Sequence, residues 1–259
     1  SSGNLQLAHF DKWWILFAFV IGIILLLIIT QPDPYLRILI FVRDGIGVTI
    51  LTTITSFIFI LIVGLLAALM RMSRNRFISG SATIYVEIIR GIPLLVQLIF
   101  WYYAFPSIVQ GIGVSLNIEA LKNYLANPII MAIFGLTICY AAYMSEIYRA
   151  GIQSIGKGQM EAARSLGMSY FQAMRYIILP QAVRVILPPV GNEFIALLKD
   201  SSLISSVAVA DMTRRGREFM AMTYIPVQTW IMIALLYLVM TLFSARVVFW
   251  LEKKTKLER

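Results

Sequence analysis

The sequence predicts an all-α integral membrane protein with about six transmembrane helices and one short amphipathic helix on the cytoplasmic side. Of its 259 residues, 59% are hydrophobic and only 14% are charged, which is typical of a chain solvated by lipid rather than by water. Its apolar runs are about 20 residues long, the length that a helix needs to cross a hydrocarbon core about 30 Å thick. Clusters of charged residues separate these runs.

Six runs fit a transmembrane helix. Lipid offers the backbone no hydrogen-bond partner, so each run must be a helix or a barrel strand, and the alternation typical of a barrel strand is missing. The first run is longer than the apolar core of a usual signal peptide and lacks a small-residue cleavage site, so we expect it to be retained. The predicted spans are residues 13–30, 46–70, 84–109, 129–148, 181–203 and 228–250.

The distribution of Lys and Arg predicts the orientation of these spans. With the amino terminus in the cytoplasm, most basic residues fall in cytoplasmic segments, as the positive-inside rule requires. We therefore predict that both termini are cytoplasmic, although Arg214, Arg215 and Arg217 oppose the rule. The net charge of +9 is explained by basic residues that flank spans next to anionic lipid, so we expect no nucleic-acid partner.

The interval between the fourth and fifth spans, residues 151–179, is too long for a plain turn. Apolar residues recur there at helical spacing, which predicts a short amphipathic helix over residues 159–173. A helix outside the bilayer suits contact with a soluble partner, and a helix lying on the lipid surface is the alternative. Its predicted apolar face holds Met160, Ala163, Leu166 and Gly167, and its exposed face holds Glu161, Arg164 and Gln172.

The chain lacks the motifs of an enzyme or an ATPase. Residues 151–158 almost reproduce a phosphate-binding loop, but Gly158 stands where a Ser or Thr would hold magnesium, and a membrane helix precedes the loop instead of a strand. We therefore expect no ATP or magnesium site on this chain. No HExxH or GxSxG motif is present, and the single histidine, His9, lies in a tail. The lone Cys139 excludes an internal disulfide.

The segment from Glu161 to Pro180 resembles the EAA loop of ABC-importer permeases. The resemblance rests on Glu161, Ala162 and Ala163, followed at the family spacing by Gly167, Ile177, Leu179 and Pro180. It implies a cytoplasmic coupling helix that sits in a groove of a separate ATPase subunit, where small residues allow close backbone approach. The residues it implies for this contact are Glu161, Ala162, Ala163, Arg164 and Gly167.

Further segments resemble the histidine, glutamine, glutamate and arginine branch of the polar amino acid importers. They are residues 47–51, 68–73, 85–97, 146–152 and 191–195, and the resemblance extends over about residues 45–250. Ile92 departs from the usual Thr, Gly156 departs from the usual Pro, and the first span is additional to the five of many members. None of these departures falls within the EAA segment, Glu161 to Pro180.

The resemblance implies a type I importer fold in a bacterial-type cytoplasmic membrane. It implies a tail, an extra helix and an outer loop over residues 1–45, a transport domain over 46–251 with its coupling loop at about 151–179, and a cytoplasmic tail over 252–259. The implied partners are a second permease subunit, two ABC ATPases that carry the ATP and magnesium, an extracytoplasmic binding protein and an amino acid. An ion-coupled secondary transporter and an ABC-type exporter permease are the alternatives.

The fifth predicted span carries the candidate substrate residues. Residues 187–191, Leu-Pro-Pro-Val-Gly, predict a broken helix at about half the depth of the bilayer, whose restart near Asn192 would aim backbone donors at an amino-acid carboxylate. Glu193 could receive an ammonium or guanidinium group, and charged side chains inside a membrane indicate function. We predict substrate contacts for Asn192, Glu193 and, beside a kink at Pro93, Gln97, and an outer gate at Lys199 and Asp200, near the outer interface. The alternative is that Glu193 bonds a neighbouring helix and that Lys199 and Asp200 pair with each other at the water boundary.

Other charged residues have structural explanations beside the functional ones. Glu87 with Arg90, and Glu146 with Arg149, are i,i+3 pairs that predict bracing or a gate. The outer segment with Asp211, Arg214, Arg215, Arg217 and Glu218 predicts either a solvated loop or a docking rim for a binding protein.

Overall fold

The structure, a computed structural model, describes residues 12–256, so the predictions for His9 and for the last three residues lie outside the described chain. Within residues 12–256 we find helices and turns and no strand, which confirms the predicted all-α class. The α-helices are α1 (Lys12–Thr30), α2 (Pro32–Arg71), α3 (Arg76–Gly91), α4 (Leu94–Ile99), α5 (Phe105–Leu116), α6 (Glu119–Lys122), α7 (Pro128–Gln153), α8 (Lys157–Ser165), α9 (Tyr170–Ala173), α10 (Leu179–Asp200), α11 (Met212–Thr223) and α12 (Pro226–Lys256).

Five helical segments of the described chain are long and apolar enough to cross a membrane. They are Trp13–Thr30, Pro32–Arg71, Leu94–Leu116, Pro128–Gln153 and Pro226–Lys254. Helix α10 corresponds to the predicted fifth span but is not among them, because it carries charged residues such as Arg184 and Glu193. It packs between α7 and α12, which shields much of its surface.

Helix α2 replaces a predicted outer loop. It begins at Pro32 and has 40 residues, which at 1.5 Å per residue gives roughly 60 Å, about twice the hydrocarbon thickness. The predicted loop before residue 46 was therefore wrong. Ile38 and Val42 are fully buried in a core with Phe219 of α11, and this packing explains why a charged segment remains helical.

The third predicted span was displaced along the chain. Helix α3 ends at Gly91, Ile92 has extended backbone, and Pro93 caps α4, so the predicted kink is a complete break. Residues 94–116 then continue through a π-helical segment over Phe100–Ala104, in which the Phe105 N–H donates to the Phe100 carbonyl. Pro106 follows this segment and cannot donate a helical hydrogen bond, which favours the local change of helix type.

The interval between α7 and α10 forms two short helices, α8 and α9, instead of the one predicted over residues 159–173. Helix α8 ends at Ser165, and Gly167 takes a positive φ of 84°. The Gly167 N–H donates to the Arg164 carbonyl and the Met168 N–H donates to the Ala163 carbonyl, the pattern of a Schellman C-cap. Leu166 consequently points away from the predicted apolar face and is 83% exposed.

Helix α10 is continuous where a break was predicted. Pro188 and Pro189 lie inside the helix, which runs unbroken to Asp200. Prolines are tolerated in membrane helices whose neighbours support them. A Cβ at Gly191 would come within 2.2 Å of Val248 Cγ1, so the Val248 side chain of α12 packs against the α10 backbone there. The backbone donors predicted at Asn192 are therefore used within the helix.

Candidate functional sites: an acidic cavity and a cytoplasmic helix

A cavity of about 260 Å³ lies between α4, α7 and α10. Its walls include two carboxylates and two tyrosines, and all four come from α7 and α10, which pack against each other. Glu193 and Asp200 are seven residues apart, so they share one face of α10. The lining residues are Leu94, Cys139, Tyr140, Tyr143, Glu193 and Asp200.

Asp200, the last residue of α10, lies beside the middle of α7. The Tyr140 hydroxyl donates to Asp200 Oδ2 at 2.7 Å, and Tyr140 is near the middle of the helix Pro128–Gln153. Asp200 therefore lies beside the middle of α7, where α10 ends and a 3-10 helix, Ser201–Val207, begins, and its predicted role in an outer gate stays a prediction. Lys199 is exposed on another side of α10 and does not line the cavity.

One arginine stands beside the acidic cavity. The guanidinium carbon of Arg90 is 5.2 Å from the centroid of the Tyr143 ring, a cation–π contact that keeps the charge next to a lining residue. Among the described residues no ion pair joins Arg90 to Glu87, so that predicted pair is not formed. The cavity thus combines two carboxylates with an adjacent guanidinium.

Two predicted substrate residues do not line this cavity. Asn192 faces a different groove, shared with α1 and α12. Gln97 is buried, and its amide nitrogen donates to the carbonyl oxygens of Ile89 and Ile92 at 2.9 Å each. Gln97 therefore satisfies backbone groups that the break before α4 leaves without helical partners. It also contacts Cys139 Sγ at 3.5 Å, from behind the cavity wall.

Sequence reasoning missed the tyrosines and Arg90 as cavity residues. Tyr140 and Tyr143 are spaced i,i+3 inside an apolar span, and hydroxyls on one helix face within a span were the available signal. Nothing in the sequence places the carboxyl end of α3 next to α7, so the contact between Arg90 and Tyr143 was not predictable.

The helix that resembles a coupling helix presents a mixed surface. Glu161, Ala162, Arg164 and Gly167 are exposed, and Ala163 is buried as the packing residue of α8. Large apolar side chains stand exposed beside them, as an unpartnered contact surface would require. These are Leu166, Tyr170 and Phe171, at 83%, 59% and 70% exposure.

The segment predicted to be an outer rim is helix α11, in which Arg214, Arg215 and Glu218 form ion pairs. Arg215 Nε donates to Asp44 at 3.0 Å and Arg214 Nε donates to Glu218 at 3.0 Å. Asp211 is fully buried and caps α11, and desolvation by burial raises its pKa to about 6 despite the backbone donors around it. The alternative of a plain solvated loop is therefore wrong.

Comparison with known proteins identifies the class. Residues 60–257 match the family described as the inner membrane component of binding-protein-dependent transport systems. The arginine transport system permease protein ArgU of Corynebacterium glutamicum is 39% identical over 79% of this chain and 65% of its own length. The probable glutamine ABC transporter permease protein GlnM of Bacillus subtilis is 37% identical over 82% of this chain and 91% of its own length.

Solved structures agree in fold. A crystal structure of an amino acid ABC transporter with histidines has a TM-score of 0.74 and 36% identity, covering 85% of this chain and 96% of that chain. An inward-facing MetNI methionine ABC transporter has a TM-score of 0.62 at 19% identity, covering 87% of this chain and 98% of that one, and shares the fold alone.

The chain belongs to this family of inner membrane transport components. It is a permease subunit of a binding-protein-dependent ABC transport system, with the fold of the type I importers, and not an enzyme. The family match begins at residue 60, so α1 and the first part of α2 lie outside it.

Proposed function

We propose that this permease imports polar amino acids by alternating access and that the acidic cavity receives the amino acid. The observation that carries the proposal is the convergence of Glu193, Asp200 and Tyr140 around one cavity halfway along α7. Charged side chains at such a depth are costly unless they serve function. A volume of about 260 Å³ suits a small molecule.

The charges of the cavity favour a cargo with two cationic groups and one carboxylate. Glu193 and Asp200 match the α-ammonium group and a cationic side chain, and Arg90 offers a partner for the carboxylate. Arginine has this pattern at neutral pH, and histidine has it when its imidazole is protonated. The arginine relative supports a cationic cargo. Lys199 faces away from the cavity, so we propose it as a residue of the outer gate or of the subunit interface rather than a substrate contact.

Transport requires partners that supply energy and cargo. We propose that two permease subunits, identical or related, enclose the path of the amino acid across the membrane. Two ABC ATPases would bind ATP and magnesium, and each would contact α8 of one permease subunit. ATP binding would open the pair outward, and hydrolysis would reset it. The exposed Leu166, Tyr170 and Phe171 around α8 support the ATPase contact.

The orientation of the permease in the membrane decides on which side a binding protein delivers the cargo. We propose that both termini are cytoplasmic and that an extracytoplasmic binding protein docks on the side of α11. Support comes from the distribution of Lys and Arg, which favours the cytoplasm for the end of α7 that leads into α8. The paired charges of α11, including Arg215 with Asp44, provide a mixed-charge docking surface.

Reconstitution tests the function directly. The permease complex, with its ATPase and binding protein, is placed in proteoliposomes, and uptake and ATP hydrolysis are measured across a panel of amino acids. We expect ATP-dependent uptake and ATPase stimulation by arginine and histidine. Uptake driven by an ion gradient without ATP would indicate the secondary transporter, and outward movement would indicate the exporter.

A further inference from the structure

Three charged side chains form a cluster at the cytoplasmic ends of α2 and α7, away from the acidic cavity. Arg71, the last residue of α2, places Nη1 2.6 Å from Glu146 Oε2. Arg149 donates from Nε to the same oxygen at 3.2 Å and pairs through Nη2 with Oε1. One carboxylate is thus held by two guanidinium groups, and the predicted Glu146–Arg149 pair is confirmed.

The cluster is partly shielded from solvent, most of all at Arg71. The Arg71 side chain is 12% exposed and the Glu146 side chain is 30% exposed, and charge-assisted hydrogen bonds gain strength where water is partly excluded. Arg71 and Glu146 are 75 positions apart in the sequence and join two different helices. An i,i+3 pair on one helix would brace that helix alone.

The cluster is continuous with α8 on one side. Arg149 Nη1 donates to Gln153 Oε1 at 2.6 Å, and Gln153 is the last residue of α7. Gly156, three residues later, caps α8. If α8 moves, the short connection from Gln153 to Gly156 therefore carries the movement to the end of α7, where Arg149 and Glu146 lie.

On the other side the cluster is continuous with α3 and the cavity. The Ser79 hydroxyl donates to the Arg71 carbonyl oxygen at 2.8 Å, which ties the first turns of α3 to the end of α2. Arg90 lies 11 positions further along α3, roughly 16 Å at helical rise, where it stacks on Tyr143 of the cavity. Helix α3 thus spans from the cluster to the candidate site.

We propose that Glu146 and Arg71 are positioning residues that transmit the movement of α8 to α2 and α3, and through α3 to Arg90 at the cavity. This inference rests on the proposed contact between α8 and the ATPase. Helices α2 and α7 pack extensively against each other, and the ion pair joins their ends at this level. Helix α3 is tied to the end of α2 through Ser79. Neither residue touches the cargo, so their effect is on the coupling of transport to ATP hydrolysis.

The test measures amino acid transported per ATP hydrolysed in the reconstituted complex. We expect Glu146→Gln and Arg71→Gln each to lower this ratio about tenfold, a typical size for coupling between distant sites, while ATP hydrolysis continues. Arg71→Lys keeps the charge and is expected to retain most of the coupling. Matched controls are Arg74→Gln, an exposed arginine of the same turn, and Glu119→Gln, which breaks an exposed i,i+3 pair on the outer side.

Assembly is measured in parallel by co-purification with the ATPase and by thermal unfolding in detergent. If the Glu146→Gln complex fails to assemble, the transport ratios of the Arg71→Gln and Arg71→Lys complexes test the proposal instead. An unchanged transport ratio in an assembled Glu146→Gln or Arg71→Gln complex overturns the proposal, as does failure of both to assemble, which would make the cluster a folding element.

A variant in the turn after α8, Gly167→Trp, distinguishes failure of the proposed ATPase contact from failure of the transmission proposal. If Gly167→Trp leaves ATPase co-purification and uptake unchanged, the proposed ATPase contact is wrong. If Gly167→Trp is defective and Glu146→Gln is normal, only the transmission proposal is wrong.

Discussion

The acidic cavity and the cluster of Arg71, Glu146 and Arg149 satisfy their charges in opposite ways. In the cluster, Glu146 has two guanidinium partners. In the cavity, two carboxylates share a space in which, among the described residues, the hydrogen bond from Tyr140 to Asp200 is the direct side-chain contact to a carboxylate. A carboxylate already in an ion pair is suited to holding helices together. A carboxylate that forms no ion pair with the described residues is suited to binding a cation from outside.

The comparison separates two kinds of functional residue in one membrane subunit. Variants of the cavity should change which cargo is moved and how tightly it binds. Variants at the cytoplasmic side should change whether energy reaches the cavity. Measuring both uptake and ATP hydrolysis distinguishes the two effects.

The largest effect is expected at the cytoplasmic side. Gly167→Trp should abolish uptake while the chain still inserts, because Gly167 has a φ of 84°, which costs a side-chain residue about 1–2 kcal/mol, and because an indole would fill the contact surface of α8. Uptake in proteoliposomes and membrane insertion are measured together. Unimpaired uptake would show that the surface is not a tight contact.

A smaller but selective effect is expected in the cavity. Glu193→Gln should reduce uptake of arginine and histidine about 100-fold, since loss of a buried charge contact costs about 2–5 kcal/mol and each 1.4 kcal/mol is tenfold. Glu87→Gln, at an exposed glutamate of α3, is the matched control. Unchanged uptake of both cationic amino acids would remove Glu193 from the binding site.

The smallest effect is expected from the tyrosine that orients Asp200. Tyr140→Phe removes the hydroxyl 2.7 Å from Asp200, and loss of such a hydrogen bond at a buried group costs about 1 kcal/mol or somewhat more, so the apparent affinity should fall roughly fivefold. Tyr143→Phe keeps the ring under Arg90 and should have little effect. Equal losses in the two variants would contradict the specific role of Tyr140.

Much of this architecture could be predicted because it depends on local composition. The apolar runs that become α1, α7 and α12 carry their own signal, since crossing lipid requires length and hydrophobicity alone. The short cytoplasmic helix was predicted from helical spacing, but its end at Ser165 was not, because the turn depends on the positive φ of Gly167. The predicted break at Pro188 and Pro189 was wrong, since α10 runs through both prolines as one helix and packs between α7 and α12.

The candidate site likewise contains residues that the sequence predicted and residues whose position only packing decided. Glu193 was predicted because a carboxylate in an apolar run stands out by itself. Gln97 and Asn192 stand out equally, yet one is turned toward the break before α4 and the other toward a different groove. Which face of a helix meets a neighbour depends on residues distant in sequence, and no local pattern contains that information.

By itself, the sequence determined that this protein is helical, lies in a membrane and carries a short helix outside it, because hydrophobic length and helical periodicity are properties of consecutive residues. The tertiary structure alone decided that Asp200 ends α10 halfway along α7, that Tyr140 meets it there, and that Arg71 reaches Glu146 from another helix. These contacts join residues 60 and 75 positions apart. They exist because packing orients each helix about its own axis, and that orientation sets which charges converge.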